Sequence, residues 1–299
     1  MLALLGILMV FAAVLGGYMM EHGNPWVLVQ PAEFLIIGGA ATGIVVVSNS
    51  RTVIRKMITG AFHTFRKSLH DRDSYLGSLR MLYETFVFAQ RNGGIMALES
   101  HVEDPDSSGI FQAHAEFLKD KATRTFLCDS LRMLVIGATN PYELDVLMDL
   151  DIEVQRRSAQ EPVKALSSVA DSLPGLGIVA AVLGVVITME AINGSPDQVG
   201  QKVAAALVGT FLGILTCYGV AQPIAARMDH ANEAQSQYLQ VLRIAMVAFA
   251  RGASPILAVE YARRSIPIEV RPTFLDMEST IRRDAKLPNQ EKNSAAAAA

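Results

Sequence analysis

Few side chains in this 299-residue sequence stand where catalytic chemistry needs them. The six histidines (His22, His63, His70, His101, His114 and His230) show no H-E-x-x-H motif and no paired-ligand spacing, so each reads as a surface or structural residue. Cys128 and Cys217 fall in segments that the topology below keeps apart, and neither a disulfide nor a thiol–metal site is expected. Gly175 to Ala180 spells the dinucleotide pattern G-x-G-x-x-A, but that motif needs a preceding strand and a helix opening at the glycines. Here it sits inside a charge-free run, just after Pro174. P-loop, nucleophile elbow and Ser/Lys dyad are all missing from the sequence. The pattern supports no enzyme, and no cofactor is expected.

The residues that do form a pattern are small ones. Pro174, Gly177, Ala181, Gly184 and Thr188 recur at steps of three and four, as do Ala206, Gly209, Gly213 and Thr216, followed by Pro223 and with Thr210 alongside. Gly38, Gly39, Ala40, Ala41, Thr42 and Gly43 form a third cluster. At helical spacing such residues leave one face almost without bulk, so that helix backbones can approach closely. Two uses fit that face: packing within this chain, or lining a space for a partner's helix or an ion path. The prolines add local expectations. Pro174 is predicted in the first turn of a helix, where proline is tolerated. Pro223 is predicted to free the carbonyl of Gly219 and kink its helix.

The elements that hold these residues follow from charge. Hydrophobic residues make up 51% of the chain and charged residues 18%, against a usual charged share of about 25%. Residues 1–20, 34–50, 172–189 and 203–226 contain no charged side chain. Runs of that length read as membrane helices, because about 20 residues at 1.5 Å rise cross a ~30 Å hydrocarbon layer. A soluble enzyme, a nucleic-acid binder and a disordered chain are disfavoured together. The first run has no basic residue ahead of it and reads as a retained helix, not a cleaved signal.

Every Lys and Arg except Lys202 lies between Arg51 and Lys164 or between Arg227 and Lys292. Basic residues gather on the cytoplasmic side of a membrane. Four spans put both basic segments inside, whereas three or five would separate them. The predicted fold class is therefore all-α: a polytopic membrane protein with four transmembrane helices, a helical cytoplasmic domain and cytoplasmic termini. Residues 1–52 hold the first two spans with a short outer loop around Trp26, and residues 53–167 form the cytoplasmic domain. Residues 168–226 hold the last two spans, joined at an Asn193-Gly194-Ser195-Pro196 turn. That turn includes an N-x-S pattern taken as chance. Residues 227–293 form a further helical segment, with Pro267, Pro272 and Pro288 marking irregular stretches, and Ser294–Ala299 reads as an appended tail. In the insert, Leu76, Leu79, Leu82 and Phe86, then Phe126, Leu131, Leu134 and Val135, keep helical spacing. Breaks are predicted at Asn92-Gly93-Gly94, across Asp104 to Gly109, and at Asn140-Pro141.

No ionisable residue lies mid-span; Glu33, Asp171 and Glu190 sit at the edges. A proton path through hydrocarbon ordinarily displays such a group. If protons cross here, the carboxylate belongs to another polypeptide.

The run from Asp171 through Ser172-Leu173-Pro174-Gly175-Leu176-Gly177 to Val186 resembles the MotA/TolQ/ExbB proton channel family, and within it the flagellar stator proteins of the MotA type. Gly209-Thr210-Phe211-Leu212-Gly213, Tyr218-Gly219 with Pro223, Gln30-Pro31-Ala32-Glu33, Ala258-Val259-Glu260 and Arg271-Pro272-Thr273-Phe274 carry the same resemblance, which covers nearly the whole chain. The resemblance implies a bacterial inner-membrane subunit that forms a pentamer around two copies of MotB, whose span supplies the proton-binding Asp. It implies inward H+ flow coupled to rotation through the rotor protein FliG. On this resemblance Pro174 and Pro223 couple ion flow to movement and Thr210 faces the ion site, in the motifs that also hold Asp171 and Tyr218. Ala181, where sodium-driven relatives carry threonine, favours protons. Arg91 and Glu99 match the charged pair that engages the rotor, and Asp151 stands where relatives tend to have another acid. The alternatives are an ExbB/TolQ-like or defence-system energiser acting on a different target, with three spans expected for the ExbB type, and a membrane scaffold without ion flux.

Overall fold

The structure is a computed structural model that describes residues 2–65, 70–190 and 195–285. The first two residues of the expected 193–196 turn, Pro288 and the Ser294–Ala299 tail lie outside the described residues. The helices are α1 (Leu2–Met20), α2 (Pro31–Ser48), α3 (Arg51–His63), α4 (Arg72–Arg91), α5 (Glu99–Glu103), α6 (Gly109–Gln112) and α7 (Ala115–Lys119). They continue with α8 (Lys121–Val135), α9 (Pro141–Glu190), α10 (Pro196–Thr216), α11 (Gln222–Ala250), α12 (Pro255–Ser265) and α13 (Phe274–Ala285). No strand occurs among the described residues. Four helical stretches are long and apolar enough to cross a membrane, and each overlaps one of the four charge-free runs. The all-α polytopic class is what the structure shows.

The chain divides into two units, Met1–Lys67 with Arg157–Asn232, and Ser68–Arg156 with Glu233–Ala299. In the first unit, helix starts follow cap chemistry. Ser195 accepts from the Gln198 amide and Ser50 from the Val53 amide, satisfying donors that a helix end leaves free. Pro31 and Pro196 open α2 and α10, where the missing N–H costs nothing. Pro31 also moves the start of α2 three residues ahead of the charge-free run. The buried residues of α2 are Glu33, Ile37, Ala41 and Val45, one per turn. Ile37 and Ala41 pack with Ala170, Leu173 and Ala180 of α9 and with Cys217 and Ala221, while Val45 packs with Met57 and Ala165. Bulky apolar side chains of α1 and α9, Leu4, Leu8, Ile178, Val182 and Val186 among them, face outward, as expected of surfaces that meet lipid or another apolar helix.

One local expectation needs correcting. Pro174 does not open a helix: α9 runs unbroken from Pro141 to Glu190, with Pro162 and Pro174 both inside it. An interior proline loses one hydrogen bond and crowds the carbonyl four residues back, about 3 kcal/mol in an isolated helix. The helix packs closely on α10 along this stretch, with the Leu173 carbonyl against Gly213. Just ahead of Pro223 the chain makes a π turn over Cys217–Ala221, in which the Gln222 amide donates to the Cys217 carbonyl.

The second unit is a layered helical core. Tyr75, Leu79, Leu82 and Phe86 of α4 pack with Phe126, Leu127 and Leu131 of α8, Leu144 and Met148 of α9, and Leu242 and Met246 of α11. Phe86 stacks on Phe249 at 4.2 Å between ring centroids. Of the insert residues expected at helical spacing, Leu79, Leu82, Phe86, Phe126, Leu131 and Val135 are buried, while Leu76 and Leu134 pack against the same core half-buried. Asp71 caps α4 through the Ser74 amide, and Asp120 caps α8 through the Ala122 and Thr123 amides. The three predicted breaks fall at the end of α4, between α5 and α6, and at the start of α9.

Candidate ion-path and coupling site

The small-residue stripes meet each other. A methyl group placed on Gly177 would lie 2.7 Å from the Gly209 carbonyl and 3.2 Å from the Cα atoms of Gly213 and Thr210. One on Gly213 would lie 2.5 Å from the Leu173 carbonyl and 3.0 Å from the Gly177 Cα, and one on Gly184 would lie 2.7 Å from the Ala206 Cβ. The α9 and α10 backbones are therefore in direct contact over two turns and more, a spacing that only glycine at these positions permits. For Gly177, Gly184, Gly209 and Gly213, packing within the chain is the observed use. Thr210, half-buried, rides on the contact. Ala181 is half-buried one position beyond Ala180, which itself abuts Gly209.

Glu33 joins this contact from α2. Its side chain is 6% exposed, and its Oε2 is buried without a hydrogen-bond partner. The same oxygen crowds the position a Gly209 Cβ would take, and the Ala180 Cβ lies 3.0 Å from that position, so side chains of α2 and α9 meet at one glycine of α10. The sequence placed Glu33 at a span edge and assigned it nothing. The signal was its phase: Glu33 shares the four-residue step of Ile37, Ala41 and Val45.

At the other end of the α9–α10 pair, Gln222 Nε2 donates to Asp171 Oδ1 at 2.9 Å. The bond ties the turn before Pro174 to the residue before Pro223. Asp171 also borders a cleft of about 420 Å³ lined by Lys164, Ser167, Ser168 and Asp229. Tyr218 stands on the π turn with 61% of its surface exposed. Gln222 and the cleft residues other than Asp171 were missed by sequence reasoning.

In the second unit Arg91 closes α4 and Glu99 opens α5. Between them run Gly93 and Gly94, with φ of 94° and 103°, a backbone that favours glycine, and a short 3₁₀ turn over Ile95–Leu98. Both charges are exposed, and neither makes a hydrogen bond or ion pair among the described residues. Asp151 is exposed on a separate element, α9, and accepts from Gln155 at 3.1 Å. The structure thus brings Arg91 and Glu99 to the two sides of one turn and leaves Asp151 apart from it in sequence and element. Elsewhere in this unit Arg263 and Arg264 bond to Glu260 and hold its carboxyl at about 2, well below the usual carboxylate range. Arg263 also reaches the Pro272 carbonyl at 2.9 Å, fixing the loop before α13.

No group of three or more His, Cys, Asp or Glu side chains converges as a metal site among the described residues. Both cysteines are free and buried. Fold and site together define a four-span helical membrane protein whose spans touch through glycine backbones, with an exposed charge pair on a separate helical unit.

Residues 4–93 match the Motility protein A N-terminal family, and residues 118–241 match the MotA/TolQ/ExbB proton channel family. Motility protein A of Salmonella typhimurium is 36% identical over 294 residues, 98% of this chain and 99% of the relative. The Escherichia coli protein of the same name is 36% identical over 291 residues, and chemotaxis protein LafT of Vibrio parahaemolyticus is 35% identical over 274. The respective coverages are 97% and 98%, then 92% and 96%. The chain belongs to the MotA/TolQ/ExbB proton channel family. A C. jejuni MotAB structure shares the fold, with a TM-score of 0.75, 19% identity, and coverage of 91% of this chain and 98% of that one.

Proposed function

We propose that the chain is a flagellar stator subunit that works with MotB to couple inward proton flow to rotation of the rotor through FliG. Five copies surround two MotB chains in this reading, with both termini cytoplasmic and the 53–167 insert and 227–293 segment forming the cytoplasmic part. The observation that carries it is the glycine-to-backbone contact of α9 and α10, which sets Pro174, Ala181 and Thr210 on one packed pair with no charged side chain of either helix in the contact. The carrier carboxylate is then MotB's. Four candidate spans weigh for this reading over an ExbB-type energiser, for which three were expected. Ala181 supports protons over sodium as the transported ion. Arg91 and Glu99 serve as the rotor contact, with Asp151 as an additional acid.

Co-expression with MotB in a cell lacking stators should restore swimming in sodium-free medium, and dissipating the proton gradient should stop it. Continued paralysis while the two chains co-purify as a complex would refute the reading.

A further inference from the structure

We propose that Glu33 is a second protonatable station of the ion path, on the outer side of the membrane, passing protons between outside water and the Thr210 face. The inference rests on the stator reading above and adds a carboxyl from this chain to a path otherwise served by the partner's. Three observations carry it. Glu33 is 94% removed from solvent in the first turn of α2, and its Oε2 has no partner, an arrangement that costs free energy in any purely structural role. That oxygen and the Ala180 Cβ, the latter at 3.0 Å, both crowd the position a Gly209 Cβ would take, so the carboxyl lies beside the residue that precedes Thr210. The third side of the site is Ala180, which precedes Ala181. The orphan carboxyl is thus one residue removed, on both helices, from the two positions assigned to the ion site.

The surroundings leave the carboxyl free to exchange a proton. Gly209 of α10, beside the carboxyl, and Ala180 of α9, on the same Gly209 position, carry no titratable group. Lys202 on α10 and Asp171 on α9 are the charged residues nearest to them in sequence. The α2 end that holds Glu33 is the one remote from Arg51, Arg55 and Lys56, hence the outer end on the proposed topology. The step balances simply: the carboxylate takes a proton from hydronium, leaving water, and returns to carboxylate when it gives that proton to the partner's carboxylate.

The test uses motors carrying the full chain with MotB, and measures low-load speed in sodium-free medium as external pH is varied at constant internal pH. Glu33→Gln keeps the shape of the side chain and removes the proton exchange. It should assemble normally, lower speed about 10-fold or more, and flatten the external-pH dependence, while Glu33→Asp should restore most of both. Infrared difference spectra of the purified complex between acid and alkaline buffer should lose one protonated-carboxyl band in Glu33→Gln, a readout that a packing role would not move. Wild-type speed and pH profile in Glu33→Gln, or an unchanged infrared difference, would overturn the inference. If Glu33→Gln fails to assemble, Glu33→Asp and the wild-type spectra decide: a wild-type difference with only the partner's carboxyl band overturns it. If the wild-type chain itself drives no proton-dependent swimming, the stator reading has failed instead.

Discussion

Gln222 and Asp171 join the two prolines of the first unit through one hydrogen bond of 2.9 Å. Asp171 stands three residues before Pro174, and Gln222 immediately before Pro223. Each proline interrupts a backbone ladder, Pro174 inside α9 and Pro223 just beyond the π turn. Two weakened helix segments are therefore tied side chain to side chain at the point where each can bend.

Breaking that tie should loosen the coupling without unfolding the bundle. The bond is solvent-accessible and contributes about 1 kcal/mol or less. Gln222→Ala is expected to leave assembly with MotB unchanged and to reduce stall torque. Asp171→Asn, whose amide oxygen still accepts, is expected to do less harm. Tethered-cell torque alongside co-purification measures both; equal torque in Gln222→Ala and wild type would show that the bond is incidental.

The glycines separate packing from mere small size. Gly175 and Gly177 are near neighbours on α9, yet a methyl on Gly175 meets nothing within 4 Å whereas one on Gly177 strikes the Gly209 carbonyl at 2.7 Å. Gly177→Ala should destabilise the purified complex by about 1–3 kcal/mol, because backbone atoms cannot move aside as a flexible side chain can. Gly175→Ala should be neutral or slightly stabilising. Thermal unfolding in detergent distinguishes them, and similar melting temperatures would mean that α9 and α10 do not touch as described.

Spans, helical core and breaks were legible because each rests on a one-dimensional signal: absence of charge over 1–20 or 203–226, a 3.6-residue step through Leu79, Leu82 and Phe86, and paired glycines at Gly93-Gly94. The role of Pro174 was not, since a proline after a charged stretch reads as a start, and only packing on α10 shows the helix continuing through it. The stripes were visible, but not which of their two uses applied, because facing helices are a three-dimensional fact. Glu33 was hidden by its label as a charged residue near an end, although its step of four from Ile37 and Ala41 placed it on the buried face.

Glu260 gives the second unit a defined acid sensitivity. Hydrogen bonds from Arg263 and Arg264 hold its carboxyl at about 2, below its usual 4.5, with 15% of the side chain exposed. A folded-state value below the unfolded one means that stability is fully present above about pH 4.5 and is lost as pH falls toward 2. Glu260→Gln should weaken the loop that Arg263 fixes at Pro272 when measured at pH 7, and should remove part of the loss seen between pH 4.5 and 2. Chemical denaturation of the complex at several pH values tests this; parallel curves for variant and wild type would count against it.

Arg91 and Glu99 offer the sharpest test of an electrostatic rotor contact. Both are exposed, flank one glycine turn and lack partners among the described residues, so replacing either removes no internal bond. Exposed charges of this kind contribute about 0–1 kcal/mol to folding, and Arg91→Glu should leave expression, assembly and melting unchanged. Across an interface the same reversal sets like charge against like, which costs several kcal/mol and slows encounter. Arg91→Glu is therefore expected to cut torque strongly, and a charge reversal at the facing acid of FliG should restore part of it. Measured as swimming and tethered-cell torque over a panel of FliG charge reversals, failure of every one to rescue Arg91→Glu would rule out direct charge pairing at this turn.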